Sequence, residues 1–374
     1  MGKNRSSRNA GLSTFILISI VFLFGIIINY SIRDIVAITP TYQRVWFIAF
    51  LIVMYIVHIV IHELGHLVFG LLTGYEFSSF RIFSLMWIKQ DGRIKLKRYR
   101  IAGTGGQCLM VPPEIKDGRL PYVLYNFGGV ILNLAVSIPF AVGYAFWDKA
   151  PFLSLSFIAV FLIGIFNVLV NGIPLRGSIN NDADTVLDIS KSYEALEAFW
   201  VQLKINELLS VGVRIKDMPS EWFRVPTDEA MKNSVVTTRG VYACNRLVDE
   251  ESFEEAEMLI THMLELDSGI TDLHRYLLAC DRIYLELIGK RRPGIVEELF
   301  TKKQERFMRS MDSLPAVLRT EYALALIYEK DFDKAQYVRR RFEKIAKKYP
   351  HPQDAEFERK LINIAQAQGL SQNS

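Results

Sequence analysis

The chain has 374 residues, half of them hydrophobic, and a formal net charge of +4. That length allows two or three domains, and so small a charge leaves no electrostatic footprint for nucleic acid. Its three cysteines, Cys108, Cys244 and Cys280, are widely separated. They form no disulfide framework and no CxxC metal pattern, which fits a reducing, cytosolic setting.

Hydropathy is uneven. The first half carries long apolar runs and the second is charged and amphipathic, which predicts a membrane domain followed by a soluble one. At the start, Lys3, Arg5 and Arg8 precede an apolar run from Leu12 to Ser31. No convincing small-residue cleavage site follows it, so it reads as a retained helix and not a signal peptide. Three more runs follow: Val45 to Leu72, Val123 to Trp147 and Phe152 to Ile173. Each reaches the roughly 20 residues that a bilayer core requires.

Orientation follows from the basic residues. The N-terminal tail is basic, and the loop from Thr73 to Pro121 holds nine Lys and Arg against four acids. The connections from Arg33 to Arg44 and around Asp148 and Lys149 are nearly neutral. The positive-inside rule then predicts a multi-pass cell-membrane protein with both termini and the long loop in the cytoplasm.

The second run contains His62-Glu63-Leu64-Gly65-His66. Two histidines four apart lie on one face of a helix, where both can bind one Zn²⁺. Glu63 beside them is a candidate general base for a metal-bound water. A carboxylate among Ile59, Val60, Ile61, Leu67, Val68 and Phe69 costs several kcal/mol unless it is used or paired.

In the long loop, Phe80 to Ile88 and Arg93 to Ile101 are β-rich runs joined through Asp91-Gly92, a strong hairpin-turn signal. Both faces of the first run are apolar, so the hairpin is expected to press against the membrane domain, with a free edge able to pair with an extended peptide. The segment Gly103-Thr104-Gly105-Gly106 predicts irregular, closely packed chain. The third run opens with Asn126-Phe127-Gly128-Gly129 and contains Asn133, expected to join helices or to border the site. The fourth ends in Asn171-Gly172-Ile173-Pro174, and Asn180, Asn181, Asp182, Asp184 and Asp188 follow at once.

Two histidines do not complete a catalytic zinc site, which usually has three protein ligands. His58 extends the stripe, but about 12 Å of helix axis separates it from His66, too far for one ion, so it reads as a supporting or packing residue. His262, His274 and His351 lie isolated in the soluble half. A carboxylate from the end of the fourth run is the better candidate for the third ligand.

The combination of HExxH on one apolar run, a Gly-Gly and an Asn on the next, and Asn-x-x-Pro leading to an Asp resembles the site-2 protease family of intramembrane zinc metallopeptidases, here without a PDZ domain. The resemblance covers about Val45 to Asp188. It implies His62, His66 and Asp182 as zinc ligands, Glu63 as general base and Asn171 as the Asn of the second motif, where it orients substrate or stabilises an oxyanion. Ala183 stands where the family has Gly, and the gap from Pro174 is longer than usual, which keeps Asp184 as a rival to Asp182. The implied activity is zinc-dependent hydrolysis of a peptide bond in or near a transmembrane segment of a membrane-anchored substrate. A catalytically inactive membrane scaffold that binds client helices is the alternative from another class. A transporter fits less well, because no internal symmetry or further buried charge marks a pathway.

From Ser190 onward the pattern is helical with polar faces. Phe253-Glu254-Glu255-Ala256 and Phe332-Asp333-Lys334-Ala335 are similar to the second-helix signature of tetratricopeptide repeats, though their spacing is not a multiple of the roughly 34-residue repeat. Such a half is expected to bind a cytoplasmic protein partner. The expected fold is thus mainly α. Residues 1–44 hold the tail, first helix and outer loop; 45–189 hold the membrane catalytic domain with its hairpin at 80–101; 190–374 hold a helical, repeat-like domain.

Overall fold

The computed structural model describes residues 13, 15–26, 40–146, 151–177 and 179–370. The basic tail, the ends of the first apolar run, most of the first connection and the turn at Asp148 and Lys149 lie outside the described residues. The chain is mainly α with one small four-stranded antiparallel sheet.

Two compact units emerge, one of residues 1–77 and 105–191, the other of residues 78–104 and 192–374. The first unit contains α1 (Phe15–Ile26), α2 (Thr41–Leu72), β4 (Gly106–Val111), α3 (Tyr122–Phe146), α4 (Pro151–Gly172) and α5 (Asp182–Ile189). Three of these helices, α2, α3 and α4, are long and apolar enough to cross a membrane. Their outward side chains, such as Trp46, Ile48, Ile138 and Phe146, are exposed, so these faces suit hydrocarbon better than water. The three helices pack on one another, β4 lies on α2, and α5 touches α3 and α4.

Glycine permits the close approach of α2 and α3. A Cβ on Gly65 would fall 2.2 Å from the Gly128 carbonyl oxygen, so only bare backbone fits there. α2 stops where Gly74 adopts φ +88° and the Tyr75 N–H returns to the Gly70 carbonyl, a left-handed cap that only Gly takes without strain.

The sheet has the order β3-β2-β1-β4. β1 (Glu76–Ile82) starts in the first unit and continues in the second, which also holds β2 (Leu85–Gln90) and β3 (Arg93–Arg98). The expected first strand, Phe80 to Ile88, is therefore two strands. Phe83, with φ +51°, turns the chain between them, and Ile82 pairs with Leu85. The turn at Asp91-Gly92 is as expected: both residues have positive φ, and Gln90 pairs with Arg93 across the two-residue loop.

The hairpin groups with the second unit. The Gln90 amide donates to the carbonyls of Ser210 and Pro350, and Tyr99 meets the rings of Tyr349 and His351. Met86 and Ile88 form the buried face, while Leu85 and Trp87 point the other way.

The rest of the second unit is helical, from α6 (Tyr193–Ser210) through α7 (Ser234–Asp249), α8 (Phe253–Glu265), α9 (Asp272–Ile288), α10 (Ile295–Leu299), α11 (Lys302–Ser310), α12 (Pro315–Ala323), α13 (Phe332–Ala346) and α14 (Pro352–Leu370). The two similar stretches, at Phe253 and Phe332, each open a helix and bury an alanine, Ala256 or Ala335, under it. Helix lengths run from 19 residues in α14 to 5 in α10 and set no regular repeat.

Candidate metal centre

α2 carries the first half of the site. His62, Glu63 and His66 are all buried, although the helix surface around them is apolar. The two imidazoles stand edge to face, with centroids 4.8 Å apart and Nε2 atoms 3.1 Å apart. The His66 Nδ1–H donates to the Tyr125 carbonyl at 2.9 Å. A carbonyl only accepts, so the hydrogen of the neutral ring sits on Nδ1 and Nε2 presents its lone pair. Room for His62 comes from Gly129, where a Cβ would fall 2.5 Å from the ring.

The second half arrives from α5. Asp182 Oδ2 lies 3.0 Å from His62 Nε2 and 3.5 Å from His66 Nε2. That oxygen is buried and has no hydrogen-bond partner of good geometry among the described residues. Burial pushes the Asp182 carboxyl up, while the facing His66 and His62 imidazoles, in their protonated form, push it down past its ordinary value. The buried group His62, His66 and Asp182, with ligand atoms all within 4.8 Å of one another, can bind a metal ion. Two imidazole nitrogens and one carboxylate oxygen form a donor set suited to a borderline divalent cation.

Asn181 holds Asp182 in place. Its Nδ2 donates to the carbonyls of Val170 and Ile173 at the end of α4, both at 2.6 Å. Its Oδ1 accepts from the backbone N–H groups of Leu175 and Asp184, the second of these being the N-cap bond of α5. One side chain thus ties the end of α4 to the start of α5. Asp184, the rival third ligand, turns elsewhere. Its Oδ1 meets Arg176 Nε at 3.2 Å, and Asp188 takes Arg176 Nη2 at 2.8 Å. Sequence reasoning passed over Asn181 and Arg176, although an Asn before a short acidic helix is itself a capping signal.

Glu63 sits under β4. A Cβ on Gly106 would lie 2.5 Å from Glu63 Oε1, so the glycine makes room for the carboxylate. Asn171 is half-buried in the last turn of α4, where its Nδ2 donates to the Asn167 carbonyl of its own helix at 3.1 Å. Ala183, at the family's Gly position, is buried in the first turn of α5.

No protein-family model, curated protein or solved structure matches this chain.

The remaining histidines do other work. His58 is buried one turn before His62, with Nδ1 2.9 Å from Asn133 Oδ1. In the second unit His262 meets Asp228 at 2.8 Å, His351 Nδ1 meets the Leu209 carbonyl at 3.1 Å, and burial pushes His274 down to about 4. All three cysteines are free and buried, and burial pushes their thiols well above the ordinary range, which makes them poor ligands and nucleophiles.

Proposed function

We propose that this chain is an intramembrane zinc endopeptidase of the site-2 protease type. It would cleave a peptide bond in or near a transmembrane segment of a membrane-anchored substrate. The observation that carries this reading is the meeting of His62, His66 and Asp182 next to a buried Glu63, on a helix long and apolar enough to cross a bilayer.

A zinc ion bound there supplies Lewis acidity for the scissile carbonyl and lowers the pKa of water. His62, His66 and Asp182 are its ligands. Glu63 takes the proton from the attacking water and delivers it to the leaving amine nitrogen. Asn171 Oδ1, its amide nitrogen being engaged within α4, is left to accept from a substrate backbone N–H. The excess of Lys and Arg between Thr73 and Pro121 supports cytoplasmic termini, with the site toward the inner face. His66 lies six residues before the end of α2, about 9 Å along the axis, which fits that depth. The helical hairpins α7–α8 and α12–α13, with their repeat-like sequences, are the proposed surface for a cytoplasmic protein partner.

The test is metal content of detergent-purified protein, with cleavage of a transmembrane peptide library alongside. About one zinc per chain is expected, lost in Asp182→Ala and kept in Asp184→Ala. Glu63→Gln should keep the zinc and lose cleavage by at least about 100-fold. A wild-type chain that holds no zinc after chelator-free purification sinks the reading and favours a membrane scaffold.

A further inference from the structure

Metal-ligating histidines almost always donate their second ring N–H to an acceptor, which sets the tautomer and the ring plane. His66 does so through Tyr125. For His62 the corresponding group is the side chain of Asn133 on α3, 3.4 Å from Nδ1. We propose, on the metal-centre reading above, that Asn133 is a positioning residue for His62 and that His58 holds Asn133 in turn.

Three observations carry this. The polar stack is sealed: Asn133 and Ser137 are 0% exposed and His58 is 1% exposed. Inside helices whose outer surface is apolar, an amide so placed needs partners on every side. Second, the stack leads to a ligand. His58 Nδ1 meets one end of the Asn133 amide at 2.9 Å, and the other end faces His62. A primary amide has one donating and one accepting end, and half a turn exchanges them. The side chain can therefore accept from a His62 Nδ1–H while donating to His58 Nδ1. That leaves the His62 Nε2 lone pair directed at the site, where Nε2 lies 3.0 Å from Asp182 Oδ2.

Third, the surroundings hold the stack still. Ser137 Oγ donates to the Asn133 carbonyl at 2.6 Å. Gly164 on α4 leaves no room for movement: a Cβ there would lie 1.7 Å from Ser137 Oγ and 2.7 Å from His58 Cε1. α2, α3 and α4 thus converge on a buried chain of polar groups that ends at one ligand and makes no direct contact with the metal.

Interhelical packing alone would favour a different set of substitutions. Leu has the shape of Asn without its acceptor, and Asp has both shape and acceptor but brings charge. A packing role predicts that Asn133→Leu is tolerated and Asn133→Asp is damaging. A positioning role predicts the reverse for metal. The measurement is zinc affinity of the full-length protein in detergent, by competition with a chelating dye, with far-ultraviolet circular dichroism and gel filtration to select folded samples. Asn133→Leu should bind zinc about 10- to 100-fold more weakly, the range for lost outer partners of a ligand. Asn133→Asp should stay within a few-fold of wild type, and His58→Leu should fall between them. Asn133→Ala serves if the Leu variant does not fold, with the same expected loss. Wild-type affinity in the folded Leu or Ala variant overturns the proposal while leaving the metal centre intact, as does equal loss in Leu and Asp. A wild-type chain without zinc overturns the metal centre and this proposal together.

Discussion

Two buried polar constellations in this molecule are built on opposite rules. In the second unit, Arg319 is fully buried, yet it bonds Asp281, lies 3.3 Å from Glu358 and stacks 4.4 Å over the Tyr284 ring. Nearby, the buried Glu286 is held by Arg282 at 3.0 Å and by Arg292. In these networks plus meets minus. In the first unit, acceptors meet acceptors: two imidazole Nε2 atoms and one carboxylate oxygen converge, with no Lys or Arg bonded to any of the three among the described residues. Lone pairs gathered this way are stable only around protons or a cation. Burial alone does not mark function; the sign of what is buried together does.

That contrast can be broken most severely at Arg319. Arg319→Met leaves Asp281 and Glu358 buried without their cation, and should destabilise the second unit by about 3–5 kcal/mol. Pulse proteolysis of the full chain in detergent measures this, while zinc per folded chain should not change. Loss of zinc without loss of stability would mean that the two constellations are not independent.

A smaller effect is expected at Asn181. Asn181→Ala removes the α5 cap and the tie to α4. It should cost about 1 kcal/mol in stability and weaken zinc binding about 10-fold, read by dye competition, since Asp182 loses its anchor. Unchanged affinity would show that the end of α4 and α5 hold Asp182 without that tie.

A pH dependence of similar size sharpens the comparison on the acidic side. Burial, then the charges of Glu358 and Asp249, pushes Asp354 up to about 7 despite Arg214. An acid with a raised folded pKa holds its proton longer in the folded than in the unfolded state. Stability therefore falls as pH rises from about 4, the unfolded value, through about 7. Thermal unfolding of the second unit should show this fall, on the order of 1–2 kcal/mol, and Asp354→Asn should reduce it, leaving the part that belongs to Glu358, which burial also pushes up to about 7. A stability that rises over the same window in wild type would contradict the sign.

How much of this was legible in the sequence differs from one residue to the next. The pairing of His62 with His66 was, because helix geometry is local and four residues always return to the same face. The three long apolar helices were, since hydropathy over about 20 residues needs no tertiary knowledge. The Asp91-Gly92 turn was, because two successive positive φ angles demand such residues.

Among the acids, the sequence went only as far as the resemblance, which favoured Asp182 and kept Asp184 as a rival; their surroundings came with the fold. Asp182, Asp184 and Asp188 follow Pro174 in one short helix. Arg176 engages Asp184 and Asp188, and Asn181 fixes the start of α5 against α4 beside Asp182. The hairpin's partner was likewise unreadable, because alternation reveals two faces but not which surface covers each. Asn133 shows the same divide. Its burial was expected from a polar residue in an apolar run, but its reach to both His58 and His62 depends on α2 and α3 meeting at Gly65 and Gly128. Local spacing determined what one helix could offer, and packing between helices decided which of those offers meet.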